Sequence, residues 1–238
     1  IEQKVIELRE KGNNKYEIVS ILKPKLGKNT PSYSGVYNIF KRNQINRLTP
    51  KIKKNHQKII KERMGQLGHI DCHYLSKSII RGENKKLYLV CVIDDYSRIA
   101  WAELVPDITS LTVMFAALKC LNILSDHYEI KFEEILSDNG PEFGIKTSQQ
   151  KYNHPFERML IELGIVHRHT KPYRPQTNGK VERFWRTLED DLLRETDFDS
   201  LEELKEELLQ YLYYYNHERP HQGIDGKKPI EMINPLPK

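Results

Sequence analysis

Cysteine is scarce in this chain and poorly placed for chemistry. Cys72, Cys91 and Cys120 are the only three in 238 residues, far apart and with no Cys-x-x-Cys pair. That pattern offers neither a disulfide framework nor a zinc or dithiol redox motif, and it suits a reducing, cytosolic compartment. Long apolar runs are also missing. The longest, such as Leu87 to Ile93, fall far short of a bilayer span, and the basic start lacks the apolar stretch of a signal peptide. The expectation is a soluble protein with no membrane partner. No internal repeat is present, and the only biased tracts are a Lys-rich segment and Tyr211-Leu212-Tyr213-Tyr214-Tyr215. The first residue is Ile, not Met, so a fragment of a longer chain is expected.

Acidic residues are few at the front of the chain. Residues 1–65 hold 16 Lys and Arg against 5 Asp and Glu, whereas the remainder has 22 against 28. The overall charge of +5 is therefore the difference between a strongly basic segment and a mildly acidic body. Clustered Lys and Arg displace counterions from phosphates, so nucleic acid is the expected partner. Within this segment apolar residues recur at helical spacing over Lys4 to Lys11 and Asn14 to Leu26, and a third helix is expected from about Ser32 to Ile45. Three short helices with a tight connection are compatible with a helix-turn-helix, and also with a bundle that binds protein or caps a domain. The charge favours DNA, read by the third helix through Tyr33, Ser34, Tyr37, Asn38 and Arg42. Lys51 to Arg63, with Lys53 and Lys54, reads as a basic linker or an extended basic helix between domains. The expected division is a DNA-binding domain over 1–50, a linker over 51–65 and a catalytic core over 66–238.

From residue 67 the pattern becomes strand-like. Leu67 to Leu75 alternates, Leu87 to Ile93 is a continuous apolar run suited to a buried strand, and Ile99 to Val105 follows a turn at Asp94 to Ser97. A long helix is expected from Ser110 to about Asp126, a strand over Glu134 to Ser137, a weakly amphipathic stretch over Pro155 to Leu163 and a strand over Ile165 to His169. Two long helices close the chain, about Asn178 to Glu195 and Ser200 to Asn216. The class is α/β with a small all-α front.

Three acids stand in contexts suited to a metal-bound carboxylate: Asp71 within a strand, Asp138 at the end of another, and Glu182 in the first turn of a helix. Paired divalent ions about 3.5–4 Å apart can activate an oxygen nucleophile and stabilise the leaving oxygen, and they need hard oxygen ligands. Without metal such a cluster repels itself, by roughly 4 kcal/mol for two charges 4 Å apart at an effective dielectric of 20. A cluster of this kind serves function, not stability.

The order and content of these motifs resemble the DDE-class integrase-core transposases, which include bacterial insertion-sequence transposases and retroviral integrases. The resemblance rests on His69-Ile70-Asp71, Val92 to Arg98, Ser137-Asp138-Asn139-Gly140-Pro141-Glu142-Phe143, Arg174 through Arg183, and Tyr214-Tyr215-Asn216 to Pro229. It implies an RNase H-like core, a mixed five-stranded sheet flanked by helices, and Mg2+ or Mn2+ held by Asp71, Asp138 and Glu182 as catalytic triad. Asp71 would bridge two ions and each of the others would hold one. The 44-position gap from Asp138 to Glu182 is longer than usual in the family, which a polar insertion around Ile145 to Asn153 accounts for. Residues 1–65 contain only His56 and no Cys, so the zinc-binding front unit of retroviral integrases is absent and bacterial transposases are the nearer resemblance.

Around Glu182 the stretch from His167 to Arg186 carries Arg168, Lys171, Arg174, Lys180, Arg183 and Arg186, an expected phosphate-binding surface. Val181, Trp185, Leu188 and Leu192 read as core. His69 and His73 share strand parity with Asp71 but are not counted as ligands, Asp94 and Asp95 read as a structural turn, and Glu142 is the rival acid near Asp138. The expected activity is cleavage of element-end DNA and transfer to double-stranded target DNA by a dimer or larger assembly, in a bacterial cytoplasm on the nucleoid. The rivals are a non-catalytic DNA-binding derivative and a nuclease that cuts without joining.

Overall fold

The computed structural model describes residues 1–45, 61–144, 151–170, 178–194 and 196–233, and the chain divides into two compact units, Ile1–Gln57 and Lys58–Lys238. The first unit holds three helices: α1 (Glu2–Glu10), α2 (Lys15–Leu26) and α3 (Tyr33–Arg42). Each of the last two starts where sequence chemistry provides a cap. Asn14 accepts from the backbone N–H groups of Tyr16 and Glu17 while the Glu17 carboxylate accepts from Asn14 N–H, a reciprocal box, and Ser32 accepts from Gly35 N–H. The apolar faces meet in a small core of Val5, Ile18, Leu22, Val36, Ile39 and Phe40.

The second unit is built on five strands: β1 (Gly68–Tyr74), β2 (Tyr88–Asp94), β3 (Ala100–Val105), β4 (Glu134–Ser137) and β5 (Val166–His169). Their order across the sheet is β3-β2-β1-β4-β5. β1, β2 and β3 form an antiparallel meander joined by turns, whereas β4 and β5 each run parallel, beside β1 and β4 respectively. The parallel pairs need helical crossovers, supplied by α4 (Ser110–Tyr128) and α5 (Pro155–Glu162). α4 ends where Glu129 turns into the left-handed region. The chain closes with α6 (Gly179–Leu188), a π-helical turn over Glu189–Leu193, α7 (Leu201–His217) and the short α8 (Pro229–Ile233). No described helix is long and apolar enough to cross a membrane.

Two apolar cores sit on opposite faces of the sheet. Leu89, Cys91 and Ile93 pack with Val181, Phe184, Trp185 and Leu188 of α6 and with α7, while Ile70, Val90 and Val92 pack with α4 and α5. This double coverage corrects the expected alternation of β1. Gly68 through Ile70 are all buried, because both faces of the strand are roofed there, and exposure begins only from Asp71. A Cβ on Gly68 would lie 2.5 Å from Ile135 Cδ1 and 2.9 Å from the Phe132 ring, so those side chains would have to shift to admit one. The expected single helix from Asn178 to Glu195 is also corrected: regular α-helix stops at Leu188, and Arg194 N–H reaches back five residues to Glu189. The polar loop expected at 145–153 lies outside the described residues except for its end at Lys151–Asn153, one 3₁₀ turn.

Candidate active site

The parallel register of β1 and β4 pairs Gly68 with Ile135 and His69 with Leu136. Two residues further along the same direction stand Asp71 and Asp138, side by side where both strands emerge from the core. Asp138 is held in a tight turn, its Oδ1 accepting from Gly140 N–H at 2.8 Å. Glu182 arrives from α6, which packs across β1, and its fixed point is Trp185, one turn later on the same helix. The indole Nε1–H of Trp185 donates to Asp71 Oδ2 at 2.9 Å, tying the helix that carries one acid to the strand that carries another.

Electrostatics reflect this proximity. Burial pushes the Asp71 carboxyl up to about 6; the Trp185 hydrogen bond opposes it, and the charges of Asp138 and Glu182 add to it. The Glu142 carboxyl is raised by burial and then by Asp138, and the Cys72 thiol is raised well beyond its ordinary range by burial and then by Glu142, Asp71 and Asp138. Negative charge is thus concentrated at one edge of the sheet, and among the described residues none of Asp71, Asp138 or Glu182 is in an ion pair. An uncompensated set of hard carboxylate oxygens, two of them on exposed residues and one half-buried, suits a hard divalent cation.

The neighbouring acids behave differently. Asp94 accepts from the backbone N–H groups of Gly65 (2.9 Å), Tyr96 (3.2 Å) and Ser97 (2.7 Å) and from the Ser97 hydroxyl (2.8 Å), which makes it a knot for the β2–β3 turn. Asp95 receives His69 Nε2–H at 2.7 Å and also pairs with Lys180. Burial would raise the Asp95 carboxyl, but His69 and Lys180 override it and hold it at about 2. His69, on the same strand face as Asp71, is thus taken up by Asp95. Its other ring nitrogen lies 3.2 Å from the side-chain oxygen of Asn178, the residue before α6. This buried network locks the start of the helix that presents Glu182. His73, the other parity neighbour, is paired with Glu189 at 2.7 Å and stacked on Trp185.

Of the expected phosphate contacts, Arg183 and Arg186 are exposed on α6, and Arg168 is exposed and paired with Glu134. Lys180 turns inward to Asp95, its side chain only 19% exposed, and so anchors α6. Lys171 and Arg174 lie outside the described residues. In the first unit, described by itself, Tyr37 is exposed on α3 and Arg42 is exposed and paired with Glu2 at 3.0 Å. Lys53 and Lys54 also lie outside the described residues.

Trp185 is the residue that periodicity misjudged. It fits the apolar stripe and does pack in the core, yet its N–H touches Asp71. The available signal was its place three residues after Glu182, on an adjoining part of the helix surface, and its identity as an aromatic that carries a donor. The His73–Glu189 pair had no such signal, because it depends on the π-helical turn, a device that recurs at functional sites.

Two segments of the chain, residues 62–175 and 163–229, match family models that share the description "Integrase core domain". A curated relative from Spiroplasma virus SpV1-C74, "Putative integrase ORF3", is 29% identical over 191 residues, covering 78% of this chain and 52% of that protein. Another, "Putative transposase for insertion sequence element IS5376" from Geobacillus stearothermophilus, is 27% identical and covers 73% of this chain and 44% of that protein. The chain thus spans about half the length of these relatives. Among solved structures, the HTLV-2 integrase catalytic core domain in complex with magnesium superposes with a TM-score of 0.53 at 20% identity, covering 72% of this chain and 98% of that one. The second unit accordingly has the RNase H-like fold, with the mixed five-stranded sheet that the sequence led us to expect.

Proposed function

The chain belongs to the DDE-class integrase-core transposases, and from that premise we propose that it cleaves element-end DNA and joins the end to target DNA with Asp71, Asp138 and Glu182 as catalytic residues. The observation that carries this reading is the convergence of three acids from β1, the end of β4 and α6 with no counter-charge among the described residues. Magnesium or manganese held by these carboxylates, two ions per site, would activate the attacking oxygen and stabilise the leaving one.

The remaining work falls to the protein. Asp71 comes from the central strand of the sheet and is oriented by Trp185. Asp138 is aimed by its own turn, and Glu182 is aimed by a helix whose start is clamped through Asn178, His69, Asp95 and Lys180. Such preorganisation saves reordering at the moment of reaction. Arg183 and Arg186, exposed on α6, would hold the phosphodiester backbone together with Arg168, Lys171 and Arg174. The chemistry is hydrolysis that releases a 3′-hydroxyl, then in-line attack of that hydroxyl on target DNA, with no covalent enzyme intermediate. The three helices of residues 1–45 would act as a helix-turn-helix reader through Tyr37 and Arg42, with Lys53 and Lys54 on the connecting segment. Joining two ends requires a dimer or larger assembly on DNA.

The test is strand transfer into supercoiled plasmid with the element's own end sequence and Mg2+ or Mn2+, comparing the protein with Asp138→Ala. Joined products that disappear in the variant support the proposal. Nicking without joining would instead make this a nuclease, and tight binding with neither activity would make it a non-catalytic derivative.

A further inference from the structure

A second cluster of ligating groups lies beside the Asp138 turn and is not used by the reaction above. Glu157 projects from α5, and His167 and His169 project from β5, where strand alternation sets both rings on one face. All three side chains are buried, with at most 3% exposed. Glu157 Oε1 lies 2.9 Å from Nδ1 of His167 and 3.4 Å from Nε2 of His169, and the three atoms fall within 4.8 Å of one another.

Both rings are held from behind. His169 Nδ1 lies 3.1 Å from the backbone oxygen of Asp138, and a carbonyl only accepts, so that nitrogen donates and Nε2 is the atom turned toward Glu157. The Ser137 hydroxyl donates to the Asp138 backbone oxygen at 2.8 Å and lies 2.8 Å from His167 Nε2, which leaves Nδ1 as the atom turned toward the same carboxylate. Two ring nitrogens and a carboxylate oxygen thus converge in a buried site.

We propose that Glu157, His167 and His169 bind a zinc(II) ion. Two imidazoles and one carboxylate are a ligand set that zinc favours, whereas an all-carboxylate set such as Asp71, Asp138 and Glu182 suits magnesium or manganese. Tetrahedral ligands 2.0–2.1 Å from zinc stand roughly 3.3 Å from one another, close to the 2.9 Å and 3.4 Å from Glu157 Oε1 to the two ring nitrogens. The outer ring nitrogens already make the bonds that fix ligating histidines elsewhere, one to a backbone carbonyl and one to a hydroxyl. Through those two bonds the ion would fasten α5 and β5 to Ser137 and Asp138, and so position the catalytic turn without touching substrate.

The experiment uses the full chain purified without a metal-affinity tag, stripped with chelator and reloaded with zinc alone or cobalt(II) alone. The expected result is one zinc per chain, tetrahedral cobalt bands in the visible spectrum, and a melting midpoint raised by roughly 10 °C when zinc is about a thousandfold above its dissociation constant. The Asp71→Asn, Glu182→Gln double variant keeps all three signals, while His169→Ala and Glu157→Gln lose zinc affinity by at least about a hundredfold. Absence of stoichiometric zinc in the unaltered chain overturns the proposal, as does loss of zinc in the Asp71/Glu182 variant or its retention in His169→Ala. Should a cluster variant fail to fold, the cobalt spectra of the unaltered chain and of the Asp71/Glu182 variant decide alone. None of these readings involves DNA, so strand-transfer results do not bear on them.

Discussion

Two groups of acids stand on or beside the sheet of this protein, and their surroundings are opposite. Asp94 and Asp95, where β2 ends, are saturated: four donors converge on the first, and His69 and Lys180 on the second. Asp71, Asp138 and Glu182 share one edge of the sheet and have no basic partner among the described residues. Buried or crowded carboxylates are costly unless compensated. A fold that compensates one group fully and leaves the other exposed to mutual repulsion has divided structural acids from those we propose hold a cation. Counter-charge, more than acid content, separates the two.

That contrast can be broken at either side. The largest effect belongs to Asp138→Ala, which should lower strand joining by on the order of a thousandfold or more while leaving the melting midpoint unchanged or slightly higher, since a repelling charge is removed. A midpoint that drops by many degrees would place Asp138 with the structural acids. Asp95→Ala should do the reverse first: with Lys180 and His69 left facing a void, the loss is about 3–5 kcal/mol by urea unfolding.

The same network sets a pH dependence. Asp95 titrates at about 2 in the folded protein against an ordinary value of 3.8, so the unfolded chain binds the extra proton between them. Its stabilisation is complete above about 3.8 and drains away as pH falls toward about 2. Unfolding curves collected across that window should show a slope that Asp95→Asn removes; an unchanged slope would mean other groups carry it. Trp185→Phe keeps the packing and deletes only the N–H to Asp71. We expect joining to fall by roughly tenfold, as for loss of a hydrogen bond to a charged group, with folding nearly intact. Equal activity would show that the strand alone orients Asp71. The smallest changes lie in the basic front. Lys53→Ala with Lys54→Ala should reduce the slope of log affinity against log salt by about 1.8, measured by DNA titration at several ionic strengths.

Much of the frame was legible before any coordinates. The apolar run Leu87 to Ile93 had to be a strand covered on both faces, and the caps at Asn14 and Ser32 had to begin helices, because these are local consequences of periodicity and hydrogen bonding. The three acids could be named because each sits in its own recognisable stretch. What stayed hidden depended on partners distant in sequence. Lys180 looks like any other cation in a basic stretch until Asp95, 85 positions earlier, takes its charge. Trp185 reads as core until Asp71 is placed beneath its N–H. His167 and His169 are two residues among many in a basic run until Glu157 closes the third corner.

By itself, then, the sequence determined which segments are helix or strand, the split between a basic front and an acidic body, and which three acids we propose as metal ligands. These follow from neighbours a few residues away and from summed charge. Only the tertiary structure decided which acids are neutralised and which are left bare, which partner each histidine takes, and where a regular helix gives way to a π turn. Coulomb energy and hydrogen bonding act through space over a few ångströms, and the chain brings His69 to Asn178 or Asp71 to Trp185 only when the sheet and α6 have packed.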